Sequence, residues 1–162
     1  ARRKVSGVNL GADGEPEVMA SMLRTSFGGN RTVDNLHAGG IGALVDVASG
    51  RLSRASNLGA DARLGWFSAH PDTGAQIEGK VVPCWEKAKA LAVAAHSQFN
   101  DRVVIGWDIA VLDDGPIFVE GNGNPDLDIL QRFMPVGFLE HRFAELLAHR
   151  LRERGAIPRL AA

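Results

Sequence analysis

Residues 103–112 read Val-Val-Ile-Gly-Trp-Asp-Ile-Ala-Val-Leu, residues 113–115 read Asp-Asp-Gly, and residues 116–125 read Pro-Ile-Phe-Val-Glu-Gly-Asn-Gly-Asn-Pro. Both outer segments are rich in Val, Ile and Phe, and the Asp-Gly pair between them is a turn signal. The stretch therefore predicts two antiparallel strands joined by a short connection.

The length of that connection decides which side chains share a face of the hairpin. A three-residue connection over 113–115 places Asp108 directly opposite Glu120. By the same count, Gly106 faces Asn122. A two-residue turn would instead send the two acids to opposite faces, because side chains alternate along a strand. We predict the three-residue connection.

The predicted register suggests a cation site. Directly opposed residues have Cβ atoms about 4.5–5.5 Å apart, so the carboxylates of Asp108 and Glu120 and the amide oxygen of Asn122 can share one hard cation. Oxygen ligands favour Mg²⁺ or Mn²⁺ over zinc, and an incomplete protein cage is typical of magnesium held jointly with substrate phosphates. The alternative is an ordinary surface hairpin with solvated acids. The other face of the first strand is predicted to enter a core: Val103, Ile105, Trp107, Ile109 and Val111.

The composition of the whole chain sets its class. The 162 residues are 45% hydrophobic and 23% charged, which is typical of one globular domain, or part of one, spanning 1–162. A formal charge of -1 gives no bulk electrostatic reason to expect nucleic acid. The single Cys84 excludes an intramolecular disulfide and is compatible with a cytoplasmic location. No apolar run in the 162 residues is long enough to predict a membrane span, and we find no signal-peptide pattern among them.

Turn signals and apolar periodicity predict the remaining elements. Two further hairpins are expected, together with two amphipathic helices. The predicted strands cover 5–10, 18–24, 41–47 and 51–57; the helices cover 83–99 and 137–154, with one helical turn at 126–131; residues 59–82 are interpreted as loop with at most a short strand near 76–81. The predicted fold class is α+β, an antiparallel sheet with helices packed on one face and ligands on the other.

A second group of residues lies between the first two predicted hairpins, in the run Asn-Leu-His-Ala-Gly-Gly at 35–40. Adjacent glycines such as Gly39 and Gly40 let the backbone approach a ligand, and successive N–H groups can bind a phosphate. Arg24, at the end of a predicted strand, could bind a phosphate with its planar guanidinium. The alternative for the two glycines is an ordinary turn, and the alternative for Arg24 is a solvated strand end.

In this order the motifs resemble those of the ATP-grasp superfamily. An Arg-bearing strand is followed by Asn-Leu-His-x-Gly-Gly, two strands, a helix, an Asp inside a strand, and Glu-x-Asn-x-x-Pro twelve residues after that Asp. The Asn-Leu-His-x-Gly-Gly run is similar to that of ligases that add glutamate to protein or cofactor tails. Gly106-Trp107-Asp108 with Glu120-Gly121-Asn122 looks more like the sugar-transfer associated branch. The resemblance spans about residues 18–132.

The resemblance implies roles for these residues. Asp108, Glu120 and Asn122 correspond to ligands of the magnesium ions that accompany ATP, and Arg24 and Asn35 match positions near the γ-phosphate and the acceptor carboxylate. Gly39 and Gly40, with the two acids, are then predicted to contact the cofactor. The implied activity is ATP- and Mg²⁺-dependent ligation of a small-molecule carboxylate to an amine through an acyl phosphate.

The resemblance also implies what else the site needs. The family binds ATP between two subdomains, and the segment that contacts adenine precedes the matched region. We therefore expect the chain to be the C-terminal portion of a longer ATP-grasp module, inactive without the N-terminal part; a homo-oligomer stays open. One alternative is a non-catalytic or truncated ATP-grasp-like binding module. Another is a carbohydrate-binding β domain, suggested only by Trp66, Trp85 and Trp107.

Overall fold

The computed structural model describes residues 3–10, 16–26, 28, 36–57, 65–99 and 101–158. Within these residues, seven strands form one antiparallel sheet with the order β5-β4-β3-β2-β1-β6-β7. The strands are β1 (Arg3–Leu10), β2 (Glu17–Thr25), β3 (Ile41–Val45), β4 (Leu52–Asn57), β5 (Trp66–Phe67), β6 (Ile105–Leu112) and β7 (Gly115–Asn122). The three predicted hairpins are confirmed as β1–β2, β3–β4 and β6–β7.

Three α-helices accompany the sheet in the described part of the chain: α1 (Trp85–His96), α2 (Leu127–Phe133) and α3 (Arg142–Glu153). Short 3-10 helices cover Leu36–Ala38 and Phe138–Glu140. The helix predicted over 137–154 is confirmed over Arg142–Glu153, but its predicted start was wrong, because His141 has an extended backbone and separates α3 from the 3-10 turn before it. The His141 side chain accepts a hydrogen bond from the Phe143 N–H and so caps α3.

Two smaller expectations also meet the structure. The strand proposed near 76–81 is limited to isolated bridges, Ala69 with Gln76 and Arg51 with Val81, and the fifth strand of the sheet lies earlier, at Trp66–Phe67. No helix among the described residues is long and apolar enough to cross a bilayer.

One core cluster lies between α1 and the sheet. It contains Trp85, Ala88 and Ala92 of α1 and the alternate residues of β6, which are Ile105, Trp107, Ile109 and Val111. The spacing of the apolar residues in α1 brings them onto one stripe of the helix, and the period of two in β6 brings its apolar residues onto one face. The predicted apolar face of β6 is confirmed for these four residues.

A second cluster covers the opposite face of the sheet, which we call the Asp108 face. Met22 and Asp108 both pair with Ser6 of β1, so they lie on this face together. Met22 packs in a cluster to which α2 contributes Leu130 and α3 contributes Phe143. The α+β class is confirmed, but the helices lie on both faces. The reason is that β2 is apolar on both sides, with Leu23 packed under α1 and Met22 on the Asp108 face.

The β6–β7 hairpin has the predicted pairing of Asp108 with Glu120, but its turn and its strand β7 differ from the prediction. Leu112 pairs with Gly115, so the turn has two residues, and the predicted three-residue connection was wrong. One extra residue, Val119, is then inserted in β7 between the partners of Ile109 and Asp108. Such a bulge moves all later side chains to the other face, and it cancels the effect of the shorter turn.

Candidate functional site

The bulge brings the predicted acids together. Asp108 lies opposite Glu120, and Gly106 lies opposite Asn122, as the sequence predicted. Asp108 is buried, whereas Glu120 and Asn122 are exposed. The Asn122 amide Nδ2 donates to Glu120 Oε1 at 3.3 Å, which directs the two side chains toward each other and leaves the amide oxygen available as a ligand.

Arg24 reaches the same place from β2. It pairs with Lys4, which pairs with Ala110, two residues along β6 from Asp108 and on the same face. Its side chain crosses β1 to donate from Nη2 to Asp108 Oδ2. The side chains of Arg24 and Asp108 are only 17% and 11% exposed. Because solvent screens such a pair weakly, the guanidinium and the carboxylate hold each other in place.

Two glycines of the hairpin make room for neighbouring side chains. A Cβ on Gly106 would come within 2.7 Å of the Pro125 Cβ, and a Cβ on Gly121 would come within 2.5 Å of the Trp107 ring. Pro125 can therefore lie against β6 two residues from Asp108, and Trp107 can lie against β7. These contacts give a physical reason for glycine at positions 106 and 121. They also fix the segment that follows Asn122.

The 35–40 segment contacts the residue that directly follows the Glu120–Pro125 motif. Leu36 is buried in the cluster on the Asp108 face. His37 Nε2 lies 3.2 Å from Asp126 Oδ2, and both side chains are more than half exposed. Asp126 directly follows Pro125, so this contact joins the glycine-rich segment to the end of the hairpin. Asn35 lies outside the described residues.

The two glycines of this segment have different environments. Gly39 is exposed with φ +92°, a conformation that favours glycine, and Gly40 is buried immediately before β3. The Gly39 N–H donates to the Leu36 carbonyl at 3.1 Å and closes the 3-10 turn. A phosphate that takes this amide must compete with the turn, and the role of both amides stays a prediction.

The oxygen donors of the site fit a hard divalent cation. Asp108, Glu120 and Asn122 supply only oxygen ligands, two of them from exposed side chains, and Mg²⁺ is usually held by one or two carboxylates with water and phosphate oxygens. The described residues contain no group of three His, Cys, Asp or Glu side chains that could hold a metal ion. A cation held by these three side chains would need further oxygen ligands, such as water or phosphate oxygens.

Sequence reasoning missed two features of this site. It assigned Arg24 and Asp108 separately, because their contact depends on how β1 pairs with both β2 and β6, which no local pattern encodes. It also omitted Asp126, although the position of this acid directly after Glu-x-Asn-x-x-Pro was a usable signal. Both omissions concern contacts between segments that are far apart in the chain.

Comparison with known families gives a match over most of the chain. Residues 10–141 match the model of the family described as sugar-transfer associated ATP-grasp. The match covers about four fifths of the chain and includes every residue that the sequence proposed for the site. Among curated proteins, none matches the chain.

Proposed function

The chain belongs to the sugar-transfer associated ATP-grasp family, and from this we propose that its site takes part in ATP- and Mg²⁺-dependent ligation of a carboxylate to an amine. Membership of an ATP-grasp family supports an ATP-binding, ligase-type role in general. Our proposal adds to this general role the ligation of a carboxylate to an amine and the use of a magnesium ion.

The observation that carries the proposal is the register of β6 and β7. It sets Asp108 opposite Glu120 and Gly106 opposite Asn122, while Arg24 contacts Asp108 from β2. The register therefore supports a site in which these oxygens would bind a cation and the neighbouring guanidinium would bind an anion. An ATP phosphate that carries a divalent cation needs both kinds of partner.

The proposed role of each residue follows from the chemistry of its side chain or backbone. Asp108, Glu120 and Asn122 would hold Mg²⁺, which when bound neutralises charge on the transferring phosphoryl group. Arg24 would bind and orient a phosphate oxygen with its planar fork. The Gly39 and Gly40 amides would add hydrogen bonds to phosphate, and Asn35 would contact the acceptor carboxylate.

The proposed reaction has two steps. A carboxylate oxygen of the acceptor attacks the γ-phosphorus of ATP, forming an acyl phosphate and releasing ADP. The amine nitrogen then attacks the acyl carbon, phosphate leaves, and the amine loses a proton. Small-molecule carboxylates and amines are thus the proposed substrates, and the nucleotide-binding half of the same domain is the proposed partner.

Calorimetry on Asp108→Asn and Glu120→Gln, measured with the proposed nucleotide-binding half present, tests the magnesium part of this proposal. We expect each variant to weaken Mg²⁺-dependent ATP binding by about tenfold or more, since each removes one charged ligand. Asp114→Asn is the matched control, because Asp114 is an exposed acid in the turn of the same hairpin. Unchanged magnesium dependence in both site variants would contradict the proposal.

A second assay separates ligation from binding. With the proposed nucleotide-binding half present, ATP and a suitable small carboxylate from a panel should release ADP, and added hydroxylamine should trap the acyl phosphate as a hydroxamate with loss of phosphate. ATP binding without hydroxamate or ADP from any carboxylate would instead favour a non-catalytic ATP-grasp-like binding module.

A further inference from the structure

Trp66 differs from the other two tryptophans of the chain in its exposure. Trp85 and Trp107 are 5% and 7% exposed and pack in the cluster under α1, whereas Trp66 is 42% exposed. Trp66 lies on β5, the two-residue strand at one edge of the sheet. The face of an indole ring is large, apolar and rich in negative charge density. An exposed indole is therefore a surface on which a second ring can stack.

A guanidinium lies beside this ring and has no acid to pair with. The Arg54 guanidinium carbon is 5.5 Å from the centre of the Trp66 ring. Arg54 is exposed, and among the described residues no carboxylate or carbonyl oxygen accepts a hydrogen bond from its side chain. Other exposed arginines, such as Arg132 and Arg142, pair with acids. The N–H groups of Arg54 are therefore available to an anion that reaches the indole ring.

The position of the Trp66 ring is fixed by a contact with α2. Its centroid lies 6.1 Å from that of the Phe133 ring at an interplanar angle of 74°, which is an edge-to-face contact. Phe133 is 9% exposed and belongs to the core cluster on the Asp108 face. Because a core residue holds the indole, Trp66 loses little freedom when a ligand stacks on it. Such preorganisation lowers the cost of binding.

The pair formed by Trp66 and Arg54 lies apart from the proposed catalytic residues. The ladder links Trp66 of β5 to Arg24 of β2 through Ser56 and Gly42, so the two side chains share a face of the sheet. Three strand spacings separate β5 from β2, which is about 14 Å. A single ring bound at Trp66 is therefore too distant to contact Arg24, and the two sites are separate.

We propose that Trp66 and Arg54 form a binding site for a ring that carries a carboxylate, which we call a ring acid. The ring stacks on the indole, whose negative face attracts the C–H groups of a sugar and stacks with an offset on an aromatic ring. The carboxylate accepts hydrogen bonds from two guanidinium nitrogens at once. Sugar acids and aromatic acids both have this chemistry. The site goes beyond the proposed function and does not depend on it.

Proton–nitrogen NMR correlation spectra of the chain test the site through the Trp66 indole N–H, the signal that Trp66→Phe removes. D-glucuronate and benzoate carry a ring and a carboxylate, D-glucose and benzyl alcohol carry only the ring, and acetate carries only the carboxylate. We expect at least one ring acid to bind at least about threefold more tightly than acetate and than its uncharged counterpart, since an exposed charge pair adds modest free energy. Binding of glucuronate alone identifies a sugar acid, and binding of benzoate alone identifies an aromatic acid.

Two variants separate the contributions of the ring and the charge. Arg54→Gln should lower the affinity for the ring acid to that for the uncharged ring. Trp66→Leu, followed at the Arg54 Nε–H, should lower it to that for acetate. Arg102→Gln is the matched control for charge, because Arg102 is 58% exposed and precedes β6, near the other edge of the sheet. We expect this control to keep the affinity of the unaltered chain.

Three results would contradict the site. The first is that neither ring acid binds more tightly than acetate. The second is that Arg54→Gln still prefers the ring acid to the uncharged ring. The third is an equal loss of affinity in Arg102→Gln, which would mean that overall charge is responsible. Should Trp66→Leu fold poorly, the comparison of Arg54→Gln with Arg102→Gln decides the matter, because both positions are exposed.

Discussion

The two faces of β6 are equally buried but chemically different. Residues 105–111 are all buried, yet one face carries Ile105, Trp107, Ile109 and Val111, and the other carries Gly106, Asp108 and Ala110. The first face packs under α1 in a continuous apolar cluster. The second face has small side chains around one acid that pairs with Arg24. The apolar face fixes the position of the strand, and the position of the acid follows from it.

The difference implies two kinds of sensitivity. Changes on the α1 side should act through lost volume and contact, and they should lower the free energy of unfolding most. Changes on the Asp108 face should act through charge. They should affect the free energy of unfolding and the proposed ligand binding to different extents.

Trp107→Ala should have the largest effect on stability. The Trp107 ring lies 5.1 Å from the Phe118 ring and 5.9 Å from the Phe99 ring, measured between centroids, and the residue is 7% exposed. Removing a buried Trp side chain costs about 3–5 kcal/mol. Urea denaturation should show this loss, whereas Trp66→Ala, at a residue that is 42% exposed, should cost clearly less. Equal losses would mean that the α1 side does not dominate.

Asp108→Ala should cost less than Trp107→Ala but more than any change at Glu120. It leaves the Arg24 guanidinium mostly buried without its carboxylate, and breaking a buried pair costs about 3 kcal/mol, less where solvent still reaches the charge. Glu120→Ala, at an exposed acid, should stay within about 0.5 kcal/mol. Urea denaturation of both variants gives the comparison.

A double-mutant cycle isolates the charge effect. Arg24→Met combined with Asp108→Ala removes the unpaired charge, so the double variant should be more stable than Asp108→Ala alone. Additive losses would mean that the two side chains contribute independently and that the pair is not the reason for the cost.

Sequence patterns predicted the fold where local chemistry decided it. The period of two in β6 and the spacing of apolar residues in α1 each bury one face, so three hairpins, α1 and the class of the fold followed from sequence. His141 was the exception, because its extended backbone and its cap on α3 interrupt a pattern that otherwise reads as one helix.

The site was predicted in part, and the predicted register is correct only because two unpredicted features cancel each other. The pairing of Asp108 with Glu120 is correct, although the turn is one residue shorter than predicted and Val119 restores the register. A run of apolar residues such as Pro116 to Val119 gives no sign of which residue will be the bulge. The ion pair of Arg24 with Asp108 depends on pairing across three strands, which only the assembled sheet specifies.

Gly121→Ala should disturb the α1 side from the neighbouring strand. The new Cβ would lie 2.5 Å from the Trp107 ring, and a ring packed among Phe99 and Phe118 has little room to move. Overpacking of this kind costs about 1–3 kcal/mol. Gly123→Ala is the matched control, since its Cβ would meet only the Arg102 guanidinium at 3.8 Å. Thermal unfolding of the two variants should differ; the same melting temperature would contradict the close contact.

The smallest expected effect is a pH dependence from His96, a polar residue in the apolar layer. His96 ends the buried stripe of α1, its Nε2 lies 3.2 Å from the Arg102 carbonyl oxygen, and its Nδ1 is buried with no partner among the described residues. Burial lowers the pKa of His96, and the nearby positive charge of Arg150 lowers it further, while the Arg102 carbonyl opposes the shift. The unfolded chain therefore binds a proton at this residue more readily than the folded chain.

Stability from His96 should be complete above the unfolded pKa of about 6.5 and should fall as the pH drops below it. Urea denaturation between pH 7.5 and pH 5 should show a steeper loss for the unaltered chain than for His96→Gln, which cannot take up the proton. Other titrating groups contribute to both curves, so the difference between the slopes isolates His96. Parallel curves would show that the α1 layer accepts the charged imidazole, and the contrast between the two sides of β6 would then be one of volume alone.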